Sequence, residues 1–496
     1  MQKVAVNVLP KNSSLSSVKV RFETLGCRLN QIESEAAASF FTDLGFSVQM
    51  ESLSAKTPGD DNILLFVLNT CAVTQKSEQK ARRLIRLMLK NFSNAAVLVT
   101  GCYAQLRPKE IASMDKRICV LKGQLKSRIE KAPEILAEYL NECAEWNPSG
   151  FAEYLTKEIE SLPVEKPDFP ENSFKLATDS FIAHSRSSLK IQDGCNNKCS
   201  YCTICIARGH SVSLDVQTVL ERVKALEKSG QSEIVITTVN IGQYKGAWKG
   251  GFLNFTELLK LCLEITSTIR FRISSLYPEV VDDEFCNVIK NPRVQPHFHL
   301  SVQSGSNTVL EAMNRHYKSA DVEEACKRLR AVKENPFIAC DLITGFPGET
   351  EECFKETMTL AENCAFAWIH AFPYSERPGT AAINFKNKVP QSISGDRAKK
   401  LTDFAISSKI NYIEENIGKE LFAVLELNRA PKTVSFDGTR FRVFHAVTEN
   451  FLHVEITVPE DEAVKIKKAA VRVKITEIME ENLRKGGELE CKGQLV

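Results

Sequence analysis

Three cysteines stand close together in Asp193-Gly194-Cys195-Asn196-Asn197-Lys198-Cys199-Ser200-Tyr201-Cys202, a C-x3-C-x2-C spacing. Three thiolates on one short loop can hold three irons of a [4Fe–4S] cubane, which leaves the fourth iron open to a substrate or cofactor. An open iron is what makes such a cluster catalytic. Zinc is the competing reading: structural zinc takes four closed ligands, commonly as two separated C-x2-C pairs, and Cys205 lies near enough in sequence to be the fourth. The loop follows a strand in a βα series, and that position favours the open cluster. A second set is dispersed. Cys27, Cys71 and Cys102 each end a segment that reads as a strand: VRFETLGC, NILLFVLNTC and AAVLVTGC. Glycines 26 and 101 precede two of them and let the backbone turn tightly.

The elements that must position these thiols follow from hydrophobic patterning. The three strands alternate with a helical stretch, Gln31 to Leu44, and a basic helix, Ser77 to Asn91, giving a βαβαβ unit. Near-continuous apolar strands joined by crossover helices belong to a doubly wound parallel sheet, whose ligands sit beyond the strands' carboxyl ends. Cys27, Cys71 and Cys102 are therefore expected at one edge of one sheet, as a shared metal site. This N-terminal domain is expected over 18–143. Residues 144–187 mix Pro, Asn, Ser and charge and read as a linker with one short helix. Six further strand signals, SLKIQDGC, EIVITTVNIG, RFRISSLYP, HFHLSVQS, FIACDLITGF and FAWIHAFPY, alternate with helices over 188–415. They predict a partial (βα)6 barrel with its site at the strands' C-terminal ends, closed by a connecting helix from Ser394 to Glu415. From 416 to 496 the short runs ELFAVLEL, RFRVFHAV, FLHVEITV and AAVRVKITEI predict a small β-barrel. The fold class is α/β.

Composition sets bounds on this reading. With 496 residues the chain is long enough for about three domains. Lys plus Arg number 64 against 62 Asp plus Glu, so the net charge of +2 gives no bulk footprint for nucleic acid, and any RNA contact is local. The first twenty residues read as neither a signal peptide nor a span, and no apolar stretch reaches membrane length. A cytoplasmic protein with reduced thiols is expected. The 16 cysteines then divide into metal ligands and small buried hydrophobes. Cys262, Cys286, Cys326, Cys353 and Cys364 on helical segments take the second reading, as do Cys119, Cys143, Cys340 and Cys491.

The cysteine loop, with an aromatic residue just before its last cysteine, resembles that of the radical S-adenosylmethionine (SAM) superfamily. ETLGCRLNQIESE, NTCAVT, GCYAQ, KIQDGCNNKCSYC, HFHLSVQSGS, DLITGFPGET and FPYSERPGT are together similar to its methylthiotransferase branch, from about Val18 to the C-terminus. The resemblance implies that Cys195, Cys199 and Cys202 hold the cluster that cleaves SAM, and that Cys27, Cys71 and Cys102 hold a second [4Fe–4S] cluster connected with the sulfur. It also implies that Tyr201 lies near the SAM adenine, with Arg208 and Ser301 as further pocket candidates. TLGCRLNQIESE resembles the sub-branch acting at C2 of N6-threonylcarbamoyladenosine at tRNA position 37. The alternatives are isopentenyladenosine-37, an aspartate of a ribosomal protein, or a non-catalytic iron–sulfur RNA-binding sensor. The implied partners are a tRNA anticodon loop and a reducing electron donor, and none is a membrane. Two departures stand out. Thr203-Ile204-Cys205-Ile206-Ala207-Arg208-Gly209 carries cysteine where the family has proline, and the C-terminal barrel matches the family's RNA-binding TRAM domain in strand pattern more than in residues.

Several features have plainer readings. Lys80, Arg82, Arg83, Arg86 and Lys90 on one helix, and Lys465, Lys467, Lys468, Arg472 and Lys474 near the C-terminus, are candidate phosphate guides, although any single one is more often a solvated charge. His297 and His299 share one face of a strand and are expected to line the barrel rather than bind metal. Gly345-Phe346-Pro347-Gly348-Glu349-Thr350 lacks the lysine of a phosphate loop and reads as a turn capping the next helix.

Overall fold

The computed structural model describes residues 15–143, 145–163, 174–177, 186–426, 431–463, 466 and 469–496. They pack as two bodies. The first holds the described residues within 1–178 together with 193–196 and 202–212, and the second holds those within 179–192, 197–201 and 213–496.

In the first body, β1 (Lys19–Thr24), α1 (Arg28–Asp43), β2 (Ser47–Gln49), β3 (Ile63–Thr70), α2 (Gln75–Asn91), β4 (Ala96–Gly101) and β5 (Ile118–Val120) build a sheet of order β2-β1-β3-β4-β5. Every pairing is parallel. The central strand β3 is buried at all eight positions, as a strand covered on both faces must be. Helix α2 is capped by Thr74, whose side chain accepts from the Ser77 N–H at 3.2 Å, and it buries Ala81, Leu84, Ile85 and Met88 at helical spacing. The edge strands β2 and β5 have three residues each, too short for a periodicity to show in sequence. Part of the expected linker is a 14-residue helix, Pro148–Ser161, whose Phe151, Ala152, Leu155 and Ile159 join the core beside the helix Ala132–Glu142 and strands β4 and β5.

The register of the sheet decides where the cysteines fall. Thr24 pairs with Asn69, Asn69 with Thr100, and Thr70 with Gly101, so β1, β3 and β4 end level. Gly101 makes the turn at φ +94°, and a Cβ there would stand 2.5 Å from Asn69 Oδ1 and 2.7 Å from the Thr70 nitrogen. Backbone on a central strand cannot yield to that clash. Gly101→Ala should therefore cost about 1–3 kcal/mol from the left-handed conformation, with the overlap added to it. Chemical denaturation would check this, and a loss below about 0.5 kcal/mol would mean that the turn relaxes freely.

The second body contains six parallel strand positions. Ser187–Lys190, Glu233–Thr237 and Arg270–Ile273 form one run, and Ser275–Leu276, His297–Gln303, Phe337–Thr344 and Trp368–Pro373 the next. The third position is broken at Ser274, so its halves belong to successive runs. The strand order is compatible with the expected partial barrel. Asp215, Asn254, Asp282 and Thr350 cap the intervening helices through their side chains. Cys262, Cys286, Cys326, Cys353 and Cys364 are buried, as are Cys119, Cys340 and Cys491, whereas Cys143 is exposed just past the helix Ala132–Glu142 and is no core residue.

After the connecting helix Gln391–Glu414, the C-terminal strands close into a ring: Glu420–Leu425, Ala470–Ile478, Cys491–Leu495, His453–Pro459, Thr439–Thr448 and back to Glu420–Leu425. Lys432–Phe436 adds a hairpin strand to Thr439–Thr448. A buried guanidinium ties this ring to the parallel strands. Arg272 is held bidentately by Glu233 at 2.8 Å and donates to the carbonyls of Thr448 at 2.9 Å and Glu449 at 3.0 Å.

Candidate active site

The level ends of β1, β3 and β4 place Cys27, Cys71 and Cys102 along one carboxyl edge, Cys71 and Cys102 buried and Cys27 exposed. Burial pushes the Cys71 thiol up to about 11; the Val73 N–H opposes this, and Cys102 and Cys27 add to it, so the three sulfurs act on one another. Burial also raises the Cys102 thiol, against the nearby charges of Arg208 and Lys126. A Cβ on Gly26 would lie 2.9 Å from the Cys71 sulfur, so the glycine keeps that sulfur's flank open. Among the described residues no three His, Cys, Asp or Glu side chains stand close enough to share a single metal ion. Three soft thiolate donors framed by turning glycines are the donor set an iron–sulfur cluster takes.

Behind this edge lies a polar network that sequence patterning did not show. Asn30, on the first turn of α1, donates to the carbonyls of Leu25 at 2.8 Å and Thr70 at 3.1 Å, which joins the ends of β1 and β3. Its Oδ1 accepts from Arg208 Nη2 at 2.7 Å and lies 4.0 Å from the Cys27 sulfur. Arg208 also pairs with Asp193 at 2.9 Å and Glu33 at 3.2 Å, and Lys126 reaches Glu33 at 2.5 Å. Burial works against the guanidinium's charge, and Asp193 and Glu33 more than offset it. Arg208 is thus committed to these partners behind the Cys27 edge.

The residues of the cysteine loop are firmly held within their bodies. The Cys195 N–H donates to the Gly209 carbonyl at 3.1 Å, and Cys205 donates its S–H to the Cys195 carbonyl at 2.8 Å. In the second body, Ser200 donates through its N–H to Met313 at 3.0 Å and through its hydroxyl to Ala312 at 2.8 Å, while Asn314 donates to the Lys198 carbonyl at 2.9 Å. Gln243 donates to Asn197 at 2.7 Å. Tyr201 packs edge-on against Phe346 with ring centroids 6.4 Å apart.

Arg315, also unforeseen, faces Cys199. Its Nη1 lies 3.6 Å from the Cys199 sulfur and 3.0 Å from the Tyr277 hydroxyl, and its Nη2 donates to the Ser301 carbonyl at 3.2 Å. Tyr277 and Tyr317 flank the guanidinium, and Tyr317 donates to the Ser301 and Val302 carbonyls. An N–H directed at a cluster sulfur is one way a protein sets a cluster's potential. Neither Asn30 nor Arg315 lies in a run with helical or strand periodicity against its partner, so only the motif words CRLN and MNRHY could have flagged them.

The remaining expectations divide. His299 faces Asp341 at 3.3 Å, with His370 5.5 Å away between ring centroids. His297 instead stacks on Phe451 at 4.1 Å and is part of the core under the C-terminal ring, where burial pushes its protonation well below the usual range. Thr350 caps the helix Glu351–Asn363 as expected, while Glu349 turns back to the Gly345 N–H at 2.9 Å and to Arg397 at 2.6 Å. Lys80, Arg83, Arg86 and Lys90 are exposed, whereas Arg82 is paired with Glu110 at 3.0 Å. Arg472 and Lys474 are exposed, and Lys465, Lys467 and Lys468 lie outside the described residues.

Comparison with known proteins places this arrangement. Residues 189–361 match the radical SAM superfamily, and residues 19–123 match the uncharacterized protein family UPF0004. The chain is 41% identical to the threonylcarbamoyladenosine tRNA methylthiotransferase MtaB of Treponema pallidum, covering 88% of this chain and 94% of that protein. It is 33% identical to the MtaB of Thermotoga maritima, covering 88% and 95%. It is 27% identical to the tRNA-2-methylthio-N(6)-dimethylallyladenosine synthase of Anaplasma marginale, covering 80% and 82%. Among solved structures, the radical SAM methyltransferase TsrM of Kitasatospora setae aligns at 13% identity and a TM-score of 0.46, over 73% of this chain and 76% of that one. The chain belongs to the radical SAM tRNA methylthiotransferases, enzymes built on a [4Fe–4S] cluster and SAM.

Proposed function

We propose that this enzyme attaches a methylthio group to C2 of N6-threonylcarbamoyladenosine at position 37 of tRNA, with two [4Fe–4S] clusters. The convergence of Cys27, Cys71 and Cys102 on one sheet edge, apart in sequence from the C-x3-C-x2-C loop, carries the two-cluster reading. The names of the 41% and 33% identical relatives support the nucleoside. Cys195, Cys199 and Cys202 would hold the cluster that reduces SAM, and Cys27, Cys71 and Cys102 the second one. When bound, these groups and SAM supply the electron and radical that activate C2, together with the sulfur and the methyl group. The protein's own contribution is positional. Arg315 orients Cys199, and Ser200 and Asn197 are pinned by hydrogen bonds. Tyr201 and Ser301 are the residues that would line the SAM pocket in this reading. An unpaired anticodon-loop base can enter such a site at lower unstacking cost than a duplex base. No helix among the described residues is long and apolar enough to cross a membrane, and a cytoplasmic setting with a reducing protein donor suits the chemistry.

The test is anaerobic. The protein is reconstituted with iron and sulfide, reduced, and given SAM in parallel with tRNA that carries or lacks the threonylcarbamoyl group, with isopentenylated tRNA and with ribosomal protein, after which the nucleosides and the protein are weighed. A methylthio mass gain confined to the threonylcarbamoylated adenosine is expected. A gain on isopentenyladenosine, or on a ribosomal-protein aspartate, would overturn the substrate while leaving the chemistry in place.

A further inference from the structure

Between the second parallel strand and the helix Phe255–Ile265 the chain makes a small antiparallel hairpin, Gly246–Trp248 with Gly251–Leu253. Its turn uses Lys249 at φ +45° and Gly250 at φ +82°, a tight two-residue connection that fixes the tip. The base is rigid as well. Tyr244 is buried and donates its hydroxyl to the Leu214 carbonyl at 2.9 Å, and the adjacent Gln243 holds Asn197 of the cysteine loop. Above this base, Phe252 is 61% exposed, and the Lys245 ammonium lies 4.6 Å from its centroid. At the tip Lys249 lies 5.0 Å from the Trp248 ring. From 238 to 256 the chain carries these two lysines and no Asp or Glu, and Lys198 on the neighbouring loop is exposed.

An exposed ring with an ammonium over it suits a partner that brings a flat base and a phosphate together. A stacking base takes the ring face, and the displaced ammonium meets the adjacent phosphate. We propose that this hairpin is a landing surface for single-stranded RNA, with Phe252 stacking an unpaired nucleotide and Lys245 and Lys249 contacting its phosphates. The proposal rests on tRNA being the substrate and identifies where its loop is gripped. The hairpin's attachment to the cysteine loop through Gln243 and Asn197 puts that grip beside the loop that bears Cys199. The lysines also argue against a second copy of the chain as occupant, since a shared face would set like charges against one another.

The test measures binding of an anticodon stem-loop RNA to the full-length protein by anisotropy across a salt series. Phe252→Ser should weaken binding about tenfold. The double variant Lys245→Gln/Lys249→Gln should make the slope of log K against log salt shallower by roughly 0.7 per lysine. RNA-independent formation of 5′-deoxyadenosine should be unchanged in both, which separates lost grip from lost chemistry. Wild-type affinity in both variants overturns the proposal. So does a change in sedimentation on Phe252→Ser with RNA affinity intact, since the ring would then serve self-association. If the wild-type protein binds no RNA at all, the reading of tRNA as substrate fails first, and that outcome is distinct from normal binding that the hairpin variants leave untouched.

Discussion

Cys71→Ala should leave SAM cleavage running and abolish the methylthio product, whereas Cys199→Ala should abolish both. The split follows from where the two sulfurs are anchored. Cys71 ends the central strand of the N-terminal sheet, with Gly26 keeping its flank open, and its neighbours in charge are Cys102 and Cys27. Cys199 sits on a separate loop, faced by Arg315 and pinned through Ser200 to Ala312 and Met313. Removing one of three thiolates opens a cluster to loss, so with the two clusters proposed each variant should carry about four irons per chain and the intact protein about eight. Replacing Cys71 by alanine changes little in packing, because the side chain shrinks by one atom within a largely apolar cluster. Iron and sulfide analysis, 5′-deoxyadenosine yield and nucleoside mass give three independent readouts. Methylthiolated nucleoside from Cys71→Ala at more than a few per cent of the wild-type amount would remove the N-terminal set from the chemistry. Loss of 5′-deoxyadenosine in Cys71→Ala with the fold intact would instead show that the two cysteine sets are not independent.

Much of this architecture is legible in the sequence because it rests on local rules. Strands β1, β3 and β4 are buried on both faces and so read as apolar runs, and the cap residues Asp215, Asn254 and Thr350 sit where helix starts are expected. The three cysteines at the sheet edge follow from strand ends alone, since parallel strands with crossover helices must present their carboxyl ends together. What sequence does not show is pairing across long separations. Arg208 meets Asn30 across 178 positions and Arg315 meets Cys199 across 116, and no periodicity links such partners. His297 shows the limit of alternation. Two histidines on one strand face share a side, but the depth at which each sits depends on Phe451, from a strand that arrives much later in the chain. The linker's one expected helix, Pro148–Ser161, belongs to the core for a reason the sequence does not show. Its polar flanks dominate the composition, and only the tertiary core shows why Phe151, Leu155 and Ile159 line up.

Arg208→Ala is expected to lower the stability of the first body by about 3–5 kcal/mol, the usual cost of removing one partner from a buried charged network. The magnitude is large because of what remains behind. Glu33 and Asp193 have side chains only 1% and 5% exposed, and both lose the guanidinium that offsets their desolvation. Lys126 still reaches Glu33, so Glu33 keeps one counter-charge, while Asp193 loses its 2.9 Å pairing with Arg208. Asn30 Oδ1 loses its 2.7 Å donor as well, and through Asn30 the loss reaches the ends of β1 and β3 at Leu25 and Thr70. Arg208→Lys should recover only part of the deficit, because one ammonium cannot serve three acceptors that a planar fork meets at once. Adding Asp193→Asn to Arg208→Ala should restore stability relative to the single variant, the sign that a buried charge deprived of Arg208, rather than lost packing, sets the cost. Denaturant unfolding followed with hydrogen exchange over α1 would locate the change. A deficit below about 1 kcal/mol, or an Asp193→Asn addition that worsens it, would show that water reaches the network and that these carboxylates do not depend on Arg208.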